Sequence, residues 1–92
     1  MIAIEDLVGL SGLTFEEVDA IAEHEHLPEA AAAALAAYLM RDEATGGRII
    51  VAMMRDDIRL ALKRRDRAHA ATLLAALRRF VAEHPAAAKP AG

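Results

Sequence analysis

Apolar residues recur along this chain at intervals of three and four, the spacing that places them on one side of an α-helix. Ile4, Leu7 and Val8 form a short amphipathic turn or two, closed by Gly9 and by Ser11-Gly12. Thr14 followed by Glu17 has the spacing of a capping box, in which each side chain satisfies an unpaired N–H of the first turn. Leu13 and Val18 stand at the two positions of a hydrophobic staple. Phe15, Val18, Ile21 and Ala22 continue one face of this helix. It should end near His26, because Pro28 disfavours helix in the residue before it and suits the first position of the next helix.

The next helix is expected over Pro28 to Asp42. It is apolar nearly all round, so it is either buried or carries an interface. Arg41 to Gly47 reads as a loop ended by two glycines. A third helix, Arg48 to Lys63, carries two apolar stripes: Val51, Met54, Ile58, Ala61 and Leu62 on one side, Ile49, Met53 and Leu60 on another. The stripe of Ala70, Leu73, Leu74, Leu77, Phe80 and Val81 is roughly 110° out of phase with the first of these. Continuity would split the seam, so a tight turn belongs at Arg64 to Asp66, with Asp66 capping a fourth helix. Pro85 stops that helix. The expectation is an all-α protein: a small bundle of about four short helices preceded by a helical turn, one domain over residues 1–84, and a flexible tail over 85–92.

Composition makes the core of this bundle thin. Of the apolar residues, 23 are alanine and 28 are larger. Alanine has the best helix propensity and little area to bury, which favours helices in close approach and disfavours strands. In a domain this small, burial and ordering entropy come out near balance, so added burial from a second copy is expected. There is no cysteine, which removes disulfides, thiolate metal sites and cysteine nucleophiles together. The start lacks a basic segment followed by an apolar stretch, and no apolar run reaches the roughly 18 residues of a membrane span. The expectation is a cytoplasmic protein with no membrane association. The excess of nine Arg over two Lys, with no Asn or Gln, suggests a GC-rich bacterial gene.

Charge divides the chain in half. Residues 1–46 hold ten acids and one base, and residues 47–92 hold four acids and ten bases. The simplest expectation is that the acidic helix packs beside the basic hairpin, within one copy or between two.

Few patterns carry chemistry. Glu23 and His26 are three apart on one helix face, with Asp19 and Glu16 continuing the ridge, and this is the half-site spacing of ferritin-like di-iron bundles. It makes Glu23 and His26, within the acidic cluster 16–26, candidate metal ligands; the plainer reading is a solvated acidic face with His26 at the edge of the core. The two helices joined by Ser11-Gly12-Leu13 have helix-turn-helix spacing, but the would-be recognition helix carries five acids and no Lys or Arg, which phosphate backbones reject. A better nucleic-acid surface is the basic hairpin, with Arg55, Arg59, Lys63, Arg64, Arg65 and Arg67, flanked by Arg78 and Arg79. Its opponents are Asp56 and Asp57 within the patch and a total of three aromatics, so nucleic acid is the alternative rather than the leading partner. No glycine-rich phosphate loop or nucleophile–base pairing is evident, and no cofactor is expected.

The segment Ala22 to Glu29, AEHEHLPE, with LSGLTFEEVDAI before it and MRDDI and DRAHA after it, resembles a family of short helical proteins of proteobacteria. The resemblance covers most of the chain and implies a helical fold with a built corner at His26 and Pro28; it implies no activity. The leading expectation is a non-catalytic interaction or regulatory module, homodimeric or binding a protein partner, that presents Leu35, Tyr38, Leu39, Ile49, Met53 and Leu60 as its interface.

Overall fold

A computed structural model describes residues 3–89; the last three residues of the expected tail lie outside that range. Among the described residues six helices follow one another through short connections: α1 (Ile4–Ser11), α2 (Phe15–Glu25), α3 (Glu29–Leu39), α4 (Glu43–Lys63), α5 (Arg67–Glu83) and the single turn α6 (Pro85–Ala88). The all-α bundle expected from the periodicity is what forms, and no strand occurs among the described residues. No helix among them is long and apolar enough to cross a membrane.

The helix starts follow from local chemistry. At α2 the capping box closes in both directions: Thr14 N–H donates to Glu17 Oε1 at 2.9 Å, and Glu17 N–H donates to Thr14 Oγ1 at 3.2 Å. Leu13 and Val18, the staple pair, both belong to the core. Asp66 caps α5 by accepting from His69 N–H at 3.2 Å. The turn before it runs through Arg65, whose φ of 63° reverses the chain within the expected Arg64 to Asp66 segment. At the end of α1 the buried Ser11 hydroxyl donates to the Val8 carbonyl and accepts from Leu13 N–H, and Gly12 takes the left-handed conformation that turns the chain into α2.

Helix α4 packs against α2, α3, α5 and α6, while α2 packs against α3, α4 and α5, and α1 lies on α3. Val18 and Ile21 from α2, Ala32 and Ala36 from α3, Ile50 and Met54 from α4, and Phe80 from α5 meet in the core. The molecule measures 40 × 34 × 19 Å. At about 10 Å per helix, the short dimension is two helices deep, so every helix keeps an outward side.

Three expectations are corrected. Arg41 to Gly47 is not a loop: α4 starts at Glu43, capped by Asp42, which accepts from Thr45 N–H at 3.1 Å. The two glycines lie inside the helix because their neighbours leave no room for a side chain. A Cβ on Gly46 would run into the Leu39 carbonyl oxygen, and one on Gly47 into the Ala87 Cβ. Pro28 is the cap of α3 rather than its first residue. Where a loose tail was expected, Pro85–Ala88 is a helical turn with Ala87 only 2% exposed. Proline cannot continue α5, but its fixed φ suits the start of a new turn, and the missing side chain at Gly47 lets that turn dock.

Two glycine substitutions separate propensity from close approach. Nothing lies within 4 Å of a Cβ at Gly9, inside α1. Gly9→Ala should therefore raise stability by about 0.5–1 kcal/mol through helix propensity alone. At Gly46 the same gain is outweighed by the clash with backbone, and Gly46→Ala should lower stability by about 3 kcal/mol. Urea titration of the two variants against the parent checks both signs.

Candidate functional site

The six residues expected to form one interface separate in the structure. Tyr38, Leu39 and Ile49 gather at the corner where α3 hands over to α4, around an open depression of about 450 Å³ that Arg41, Asp42 and Thr45 complete. Tyr38 is 66% exposed and Ile49 42%, and the Arg41 guanidinium stands 6.0 Å from the Tyr38 ring centre. Leu35 and Leu39 are partly buried against the core. Met53 is a correction: at 8% exposure it belongs to the core and cannot serve an interface. The reason is that α2, α3 and α5 all pack on α4, so its second stripe is covered midway and open at its ends. Leu60 is exposed, but it lies 11 residues beyond Ile49, about 16 Å along α4 at 1.5 Å per residue.

Glu23 and His26 do not come together. His26 adopts φ 56° as the left-handed cap of α2, which takes it off the helical ridge it would share with Glu23. Glu23 instead crosses to α5, where its Oε1 accepts from His69 Nε2 at 2.5 Å. Among the described residues, no group of three or more His, Cys, Asp or Glu side chains is arranged to hold a metal ion.

Three of the four histidines, His24, His69 and His84, link helices to one another. His24 on α2 bonds its neighbour Glu25 at 2.9 Å and lies 3.6 Å from Asp56 on α4. His69 ties α5 to α2, and His84, at the end of α5, bonds Glu43 at the start of α4 at 2.9 Å. The acidic α2 thus does pack on the basic hairpin within one copy. The contacts are histidine–carboxylate pairs, and the ion pairs of Arg among the described residues stay within α4 and α5. Of the basic residues named for nucleic acid, Arg55 and Arg59 face a groove between α4 and α5, while Lys63, Arg64, Arg65 and Arg67 are exposed at and beside the turn.

Three carboxyls missed as a group by sequence reasoning are held toward their protonated form. Glu17 is fully buried, and its Oε2 has no hydrogen-bond partner. Burial pushes it up, and the Glu83 charge adds to this against the Thr14 hydrogen bonds and His84. Asp57 is pushed up chiefly by burial, with His24 and His69 opposing and Glu23 and Asp56 assisting. Glu29 is pushed up to about 7 by hydrogen bonding with the Asp19 carboxyl, then by burial and like charge. For His24 burial works downward, but the Glu25 bond and the Asp57, Glu25 and Asp56 carboxylates prevail and raise it. Helical periodicity places Glu17 and Asp57 on polar stretches, so only the packing of α2 on α4 and α5 could reveal them.

Comparison with protein-family models, curated proteins and solved structures finds no match to this chain.

All four shifts have the same consequence. The raised carboxyls carry no penalty below their unfolded values of 3.8 to 4.5 and an increasing one as pH rises through the folded values. The raised His24 stabilises below its unfolded 6.5, and that contribution is lost as pH rises through its folded value. Asp42 acts oppositely: the Thr45 N–H bond lowers its carboxyl, so its contribution is present above 3.8 and lost as pH falls further. The melting temperature should therefore peak at about pH 4 and fall toward about pH 8, and Glu29→Gln should flatten the limb between about 4.5 and 7. Calorimetric scans across that range check it; a melting temperature rising from acid to neutral would be the contrary result.

Proposed function

We propose that this chain is a non-catalytic helical interaction module, and that the apolar α3–α4 corner is where it meets a second copy of itself. The observation that carries the reading is the exposure of Tyr38 and Ile49 side by side in a molecule two helices thick. An aromatic ring with an apolar body and a hydroxyl tip, next to a β-branched residue and an arginine, has the composition enriched at protein contacts. The titratable groups favour the same reading, since the histidines and their carboxylates hold α2, α4 and α5 together rather than converging on a closed pocket.

Association through this corner is governed by mass action. At tens of micromolar the protein should sediment as a dimer, and Tyr38→Lys combined with Ile49→Lys should return it to a monomer with unchanged circular dichroism. Leu62→Lys, which alters an exposed leucine near the far end of α4, should leave the dimer in place. A monomeric parent protein at about 100 μM, or a double variant that still dimerises, would remove this reading.

A further inference from the structure

The α4–α5 hairpin carries a second surface with a different character. An open groove of about 690 Å³ runs between α4 and α5 and is closed at one end by α6. Its floor is apolar: Val51 and Ala87 are buried, and Leu77 and Val81 are half-buried. Its rim is cationic, with Arg48, Arg55 and Arg59 along α4, Arg78 on α5 and Lys89 just past α6. Arg59 pairs with Asp56 at 3.7 Å, and Asp56 is the one acid lining the groove. Arg48, Arg55, Arg78 and Lys89 have no carboxylate within ion-pair distance among the described residues.

We propose that this groove docks an acidic amphipathic helix from a partner protein. The floor requires apolar side chains on one face of the occupant, and the rim requires carboxylates on its flanks. Arg59 lies 11 residues beyond Arg48 on α4, about 16 Å, which is about three turns of an occupying helix and matches the i, i+3/i+4, i+7 anchors of helix-in-groove recognition. A nucleic acid would also meet the rim cations, but no aromatic side chain lines the groove to stack a base, and the buried apolar floor offers a sugar–phosphate strand nothing. The α2 acids do not neutralise this rim: Glu23 pairs with His69 and Glu25 with His24, and among the described residues no α2 carboxylate lies within ion-pair distance of a rim cation.

The test uses a labelled peptide of about 15 residues with leucines at i, i+3, i+7 and i+10 and glutamates between them, a scrambled peptide of the same composition, and a labelled oligonucleotide, each read by fluorescence polarisation against the full chain. The amphipathic peptide should bind, with affinity falling about fivefold or more between about 50 and 300 mM salt. Arg55→Glu with Arg78→Glu should weaken it about tenfold or more, whereas Arg64→Glu with Arg67→Glu, at the distant turn, should change it less than about threefold. All four residues are exposed, so circular dichroism should be unchanged. Absence of peptide binding, equal binding of the scrambled peptide, equal loss in the turn variant, or tighter binding of the oligonucleotide would each overturn the proposal. None of these results depends on whether the α3–α4 corner dimerises, since Tyr38→Lys with Ile49→Lys can be run in the same assay.

Discussion

The structure depends on helices approaching until side chains disappear from the contact. Where α3 passes into α4, Gly46 meets the Leu39 backbone; where α6 returns, Gly47 meets Ala87. Ala32, Ala33 and Ala36 let α3 do the same against its neighbours. Close packing of this kind gives many small dispersion contacts and little area per residue. It also leaves little space for large side chains between helices, and in a molecule two helices deep several of them end at the surface. Tyr38, Ile49, Leu60 and Leu62 are exposed for that reason.

Much of this was legible in the residues. The capping box of Thr14 and Glu17, the Asp66 cap and the phase break at Arg64 to Asp66 are local, and local chemistry decides them. The errors have one origin. Gly46-Gly47 and Pro85 carry strong turn signals, but a glycine can also mark a close approach and a proline can start a helical turn. Which role applies depends on contacts made only in the fold: Leu39 lies seven residues before Gly46 on the preceding helix, and Ala87 lies 40 residues after Gly47. The same blindness affected Met53, on an apolar stripe whose covering helices come from elsewhere in the chain, and Glu23, whose partner His69 lies 46 residues on.

Polar groups follow a related economy. With little apolar area available, α2 joins α4 and α5 through imidazole–carboxylate pairs, and Glu17 and Asp57 are buried without full sets of partners. Such groups resist ionising, so the folded chain carries more protons than the unfolded one over the mildly acidic range. The arginines are meanwhile left on the outer side of the hairpin, beside an apolar trough. The self-association and the acidic-helix docking proposed above thus fall on separate faces of one arrangement.

Close approach itself is tested most directly by enlarging a buried alanine of α3. Ala36 is fully buried and Ala34 is exposed on the same helix. Denaturant unfolding of Ala36→Leu should show a loss of about 1–3 kcal/mol, while Ala34→Leu should stay within about 0.5 kcal/mol of the parent. If Ala36→Leu were as stable as the parent or more so, the helices would have room to spare, and the constraint on which this structure is built would not exist.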